Sequence, residues 1–160
     1  MFEKTTIRMK INGKEREVDV EPYSTLLDVL RDDLGHIEVK EGCSSGDCGA
    51  CAVLMNGEIV ASCLTLARQA DGAEIITAAG VGMPGDLDPL QDAFLEHGAV
   101  QCGYCTPGMI IAAKYFLDRN PNPSRHEVQV ALSGNYCRCT GYEQIIEAVL
   151  AAAERYRAET

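Results

Sequence analysis

Between residues 4 and 21 the chain reads TTIRMKI, then KEREVDV, on either side of Asn12-Gly13, a pattern that predicts two strands joined by a tight hairpin. From residue 25 the periodicity changes. In TLLDVLRDDL the leucines at 26, 27, 30 and 34 fall on one face of a helix that Ser24 or Thr25 can cap. ACAVLM and EIVAS then flank a second Asn-Gly pair, Asn56-Gly57, and predict a second hairpin. A short helix after Cys63 and a strand near AEIITA complete this half. The order strand, strand, helix, loop, strand, strand, short helix, strand suits a β-grasp layout.

The texture changes in AAGVGMPGDL, residues 78 to 87, which is small and turn-rich. It contains Gly80-x-Gly82-x-x-Gly85, but Pro84 interrupts that spacing and no second parallel strand follows, so a dinucleotide fold is rejected. Beyond it the pattern is helical. Asp88-Pro89 and Thr106-Pro107 each read as N-cap and first turn; Ser124 with Glu127 and Thr140 with Glu143 read as capping boxes. The expectation is an α+β chain: a β-grasp, ferredoxin-like domain over 1–78, a linker over 79–87, and an all-α four-helix bundle over 88–160.

Composition narrows the function. At 160 residues, with 46% hydrophobic and 24% charged residues, the chain is globular in type. The longest apolar run, Gly108 to Ala113, is too short to cross a bilayer, and MFEKTTIRMKING has no apolar core of an export signal. A cytoplasmic protein without membrane insertion is expected. A net charge of -10 argues against binding nucleic acid.

Eight cysteines then need a role, and in a reducing compartment metal or redox chemistry outranks disulfides. They form two groups of four. Cys43, Cys48, Cys51 and Cys63 read C-x4-C-x2-C with a distant fourth, the plant-type spacing for a [2Fe–2S] cluster. Glycines 42, 46 and 49 suit a loop that turns tightly and aims N–H groups at sulfur. Cys102, Cys105, Cys137 and Cys139 read C-x2-C, then C-x-C; zinc or a redox dithiol would also fit that spacing. Cys105 and Cys139 directly precede expected helix starts, whose free N–H groups would face an anionic site. His36, His97 and His126 lie outside both sets and are expected on the solvated surface. Tyr104, Tyr136 and Tyr142 flank the second set and would shield it from water.

EGCSSGDCGAC, VQCGYCTPGM and GNYCRCTGY together resemble the iron–sulfur subunit of the molybdenum hydroxylases, the group of xanthine dehydrogenase, aldehyde oxidoreductase, nicotinate dehydrogenase and molybdenum-type carbon monoxide dehydrogenase. The resemblance spans about residues 5 to 155, with Ala52 replacing the family's usual Thr. It implies two [2Fe–2S] clusters, one on each cysteine set, with the second nearer a molybdenum–pterin cofactor and the first nearer FAD. Gln101 and Cys139 match family positions beside the pterin. It further implies an electron-transfer subunit that relays single electrons from molybdenum to FAD, completed by a large molybdenum subunit and a medium FAD subunit. Since the sequence stops at residue 160, a separate small subunit in a heterotrimer, able to dimerise, is expected. The alternatives are an independent ferredoxin-like carrier and a structural zinc-binding adaptor.

Overall fold

A computed structural model describes residues 3–158. Strands β1 (Thr5–Ile11) and β2 (Lys14–Val20) pair antiparallel and close on Ile11 opposite Lys14. Asn12 and Gly13 both take positive φ, 48° and 80°, the backbone of a two-residue hairpin matched to strand twist. Strands β3 (Ala52–Met55) and β4 (Glu58–Ala61) close in the same way around Asn56, φ 52°, and Gly57, φ 81°.

Both asparagines also brace the sheet. Asn12 accepts from the Thr77 N–H and donates to the Thr77 hydroxyl, each at 2.9 Å, while the Asn56 side chain accepts from the Glu74 N–H at 2.9 Å. Each turn is thereby tied to β5 (Glu74–Ile76) or the residue after it. β5 lies parallel to β1 and antiparallel to β3, giving the order β2-β1-β5-β3-β4.

A short helix, α1 (Leu26–Asp28), is capped reciprocally by Thr25 and Asp28 and runs into a wider π-helical turn at Val29–Asp33. Its Leu26, Leu27, Val29 and Leu30 are buried with Ile7, Met9, Ile11, Val53 and Ile75 in one core, as the sequence periodicity requires. The expected short helix after Cys63 is a single 3-10 turn, Ala67–Ala70.

A second core belongs to four helices: α2 (Pro89–Glu96), α3 (Thr106–Leu117), α4 (Arg125–Ala131) and α5 (Glu143–Ala158). Leu90, Phe94, Met109, Val128, Ile145 and Val149 fill it. Asp88 with Gln91 and Ser124 with Glu127 form complete capping boxes. Two expected helix starts are corrected. The N-cap of α3 is Cys105, with Thr106 already helical. Thr140 and Glu143 form no box, because Gly141 and Tyr142 take φ 66° and 71° and delay α5 until Glu143. Cys139 therefore does not directly precede a helix.

The two cores meet through α3. Ile111 packs with Ala52 and Leu54, Tyr115 donates to the Glu58 carboxylate at 2.7 Å, and Arg119 reaches the Gly57 carbonyl at 3.1 Å. Between the cores, residues 78 to 87 hold a 3-10 turn, Ala78–Gly80, and a bridge between Met83 and Asp86. Among the described residues no helix is long and apolar enough to cross a membrane.

His97 and His126 are exposed as expected, but His36 is half-buried with its Nδ1 3.0 Å from Glu38. The Glu38 carboxylate also accepts from the Thr77 hydroxyl at 2.6 Å. Burial pushes the Glu38 carboxyl up, but the Thr77 hydrogen bond and its other donors prevail and hold it below its usual value. A depressed folded value means this contribution is present above the unfolded carboxyl range and lost as pH falls through the folded one. Glu38→Gln should thus lower the thermal midpoint at pH 7 by roughly 2–4 °C, equivalent to about 1 kcal/mol for a partly exposed charged hydrogen bond. The gap between variant and wild type should close on acidification below pH ~4, which melting curves across pH would show.

Candidate metal centres

The loop from Gly42 to Cys51 wraps a sulfur. Cys43 Sγ accepts from the N–H groups of Ser45 at 3.4 Å, Asp47 at 3.3 Å and Cys48 at 3.4 Å. Three donors on one sulfur require a chain that curls back, and Ser44 supplies the bend with φ 53°. A Cβ on Gly42 would sit 2.6 Å from Cys48 Sγ, so only glycine allows that approach. Gly49 combines φ +70° with a position where any Cβ would overlap the Asn135 side chain and the Gly134 carbonyl.

The thiols of this set meet in pairs. Cys48 lies against Cys43, and Cys63 against Cys51, with Cys51 and Cys63 buried and Cys43 exposed. Hydrogen bonds from Ser45, then from the Cys48 backbone, lower the Cys43 thiol to about 6. Burial, then the neighbouring Cys51, raises Cys63 to about 11.

The second set is paired likewise: Cys105 against Cys137, and Cys102 against Cys139. Burial, then Cys137, raises Cys105 to about 12. Burial raises Cys137 as well, but the Thr140 hydroxyl and N–H outweigh it and the Cys137 thiol is lowered. Thr140 Oγ1 is 3.1 Å from Cys137 Sγ, and the Thr140 N–H donates to that sulfur at 3.4 Å. The residue expected as a helix cap is instead a hydrogen-bond partner of the Cys137 sulfur. Its hydroxyl also accepts from the Tyr142 N–H at 3.1 Å, and Tyr142 returns its own hydroxyl oxygen to the Cys137 N–H at 2.9 Å. Cys102 and Cys139 are exposed, as is Gln101.

Among the described residues, no three Cys, His, Asp or Glu groups crowd one point as a single ion would require. Two pairs of thiols per set, with N–H groups on sulfur and no imidazole, suit an anionic two-metal sulfur cluster, in which each metal takes two thiolates. The donor chemistry fits.

The two sets also touch. The Tyr136 N–H donates to the Cys48 carbonyl at 2.9 Å, the Asn135 side chain donates to the Gly49 carbonyl at 3.2 Å, and the Tyr104 hydroxyl donates to the Glu41 carbonyl. Besides the shielding expected of them, the flanking tyrosines make hydrogen bonds at the loops, Tyr104 and Tyr142 through their hydroxyls and Tyr136 through its backbone N–H. Asn135, Thr140 and Glu41 carried no signal in the cysteine spacing, because their roles depend on which loops the fold brings together.

Residues 9–78 match the 2Fe-2S iron-sulfur cluster binding domain family, and residues 77–150 match the [2Fe-2S] binding domain family. The chain is similar to the small FeS subunit of nicotinate dehydrogenase from Eubacterium barkeri, at 56% identity over 95% of this chain and 97% of that one. In structure it resembles quinoline 2-oxidoreductase from Pseudomonas putida 86, with TM-score 0.93, 47% identity and 98% of both chains covered. It also resembles the aldehyde oxidoreductase from Desulfovibrio gigas, with TM-score 0.92 and 43% identity, over 98% of this chain but 18% of that one.

Tyr142→Phe deletes the acceptor of the Cys137 N–H and leaves a part-buried donor unpaired. Urea titration should show a loss of about 1–3 kcal/mol, the penalty for an unmade hydrogen bond. An unchanged midpoint would mean that water replaces the tyrosine at no cost.

Proposed function

This chain belongs to the iron–sulfur small-subunit family of the molybdenum hydroxylases, and on that premise we propose that its cysteine sets are the ligands of two [2Fe–2S] clusters in an electron relay. Cys43, Cys48, Cys51 and Cys63 hold one cluster; Cys102, Cys105, Cys137 and Cys139 hold the other. The relay runs from a molybdenum–pterin site on a large partner subunit to FAD on a medium one. When bound, each cluster takes up and releases one electron at a time.

The chain's own part is to hold, insulate and polarise. The three N–H donors on Cys43, and Thr140 on Cys137, stabilise negative charge on sulfur and favour the reduced state. The single observation that carries this reading is the union of two four-thiol sets across one hydrogen-bonded joint, Tyr136 to Cys48. A structural metal site has no need of such a joint.

The finer assignments follow. Gln101 and Cys139, both exposed, face the pterin. Cys43, exposed with Leu64 close over Gly46, faces the flavin side. The chain divides into a ferredoxin-like domain over 1–78, a linker over 79–87 and a four-helix bundle over 88–160. It works in the cytoplasm, in a heterotrimer able to dimerise.

Iron and acid-labile sulfide should each come to about four per chain, with two distinct EPR signals after reduction, as two [2Fe–2S] centres require. Copurification with a flavin chain and a molybdenum chain separates a bound subunit from a free carrier, and a colourless zinc-loaded protein overturns the relay. Cys63→Ser should abolish one EPR signal and spare the other. Thr140→Val should lower the reduction potential of the second-set cluster alone by about 20–40 mV, the one-electron equivalent of about 0.5–1 kcal/mol of hydrogen bonding. EPR-monitored redox titration measures it.

A further inference from the structure

The two cysteine loops come closest, along the chain, at one hydrogen bond. The Cys48 carbonyl accepts from the N–H of Tyr136 at 2.9 Å, and Tyr136 is bonded directly to Cys137. From one sulfur to the other the route is covalent backbone interrupted once. The competing contacts are longer: Tyr104 reaches Glu41 through a whole phenol side chain, and Gly108 meets Gly49 three residues after Cys105.

What holds that bond is a clamp on the next peptide. The Asn135 side chain, buried in the joint, donates to the Gly49 carbonyl at 3.2 Å. Its own backbone N–H is anchored on the Leu132 carbonyl at 2.9 Å, at the end of α4. On the other side Gly108 of α3 lies so close that a Cβ there would overlap the same Gly49 oxygen. The Cys48–Gly49 segment is thus gripped between the end of α4 and the start of α3, beside Tyr136.

We propose that Asn135 is a positioning residue for electron passage between the two cysteine sets, holding the Cys48 carbonyl on the Tyr136 N–H so that this hydrogen bond is the bridge. The inference rests on the two-cluster reading and deepens it. The step moves one electron from the reduced second-set centre to the oxidised first-set centre; no bond is made or broken and no proton moves. Dithionite, or the substrate of the complex, supplies the electron. Because transfer by tunnelling weakens exponentially with every added gap, a loosened bridge slows the step without changing either end.

The test uses the intact complex with Asn135→Ala and Asn135→Ser. Pulse radiolysis or rapid-freeze EPR follows the electron from one signal to the other, while redox titration fixes both potentials. Hydrogen–deuterium exchange reads the Tyr136 amide. The expected result is transfer slowed by about tenfold or more, as misplacing a reacting contact by about 1 Å does, with both potentials and both signal shapes unchanged. Exchange at Tyr136 should quicken by about fivefold, equivalent to roughly 1 kcal/mol of hydrogen bonding. Unaltered transfer in a variant that keeps both signals overturns the proposal, and so does slowed transfer with Tyr136 as protected as in wild type. Should Asn135→Ala lose a cluster, Asn135→Ser, which keeps a short polar group, is judged by the same readings; loss of a cluster there too overturns a purely positioning role. Wild-type protein lacking two EPR signals would instead defeat the two-cluster reading itself.

Discussion

A sulfur anion is stabilised by N–H or O–H donors, and the loops around both cysteine sets are shaped to supply them. At Cys43 three backbone N–H groups converge, which is possible only because Ser44 adopts the left-handed region. At Cys137 the donors come from Thr140, and just beyond them the chain turns sharply through Gly141 and Tyr142. A non-glycine residue in that region costs about 1 kcal/mol or more. Tyr142 offsets the strain through its hydroxyl, which pairs the Cys137 N–H. The late start of α5, at Glu143, follows from this turn.

The second constraint is closeness. Glycine at 49 and at 108 removes the side chains that would separate the first loop from α3, and Asn135 fills the remaining polar gap. Around this contact the packing is apolar, with Ile111 seated on Ala52 and Leu54. The two cores are thereby joined beside the contact between the cysteine sets. A hinge there would alter the distance between the sets; the close-packed joint prevents that.

The sequence disclosed those features whose cause is local. Asn12-Gly13 and Asn56-Gly57 are hairpins because both residues must take positive φ, and the Asp88 cap and the Ser124 box form because their partners lie within three residues. Cysteine spacing separated the two sets for a similar reason. Thr140 misled because its hydroxyl had two possible partners: Glu143, three residues on, and the Cys137 sulfur, three residues back, and the sulfur won. His36 looked like a surface residue until the fold brought Thr77 to Glu38. Asn135 was invisible for the same cause, since its partner Gly49 is 86 residues away.

The exposed rings beside the second set complete the logic. Tyr104 and Tyr136 are 49% and 59% exposed. Yet the Tyr104 hydroxyl and the Tyr136 N–H are already engaged with the first loop. A partner covering these rings gains apolar contact without having to replace the hydrogen bonds that hold the loops together. The exposed rings and the atoms that align the loops are different parts of the same residues. That separation lets the loops keep one internal geometry whether or not the rings are covered.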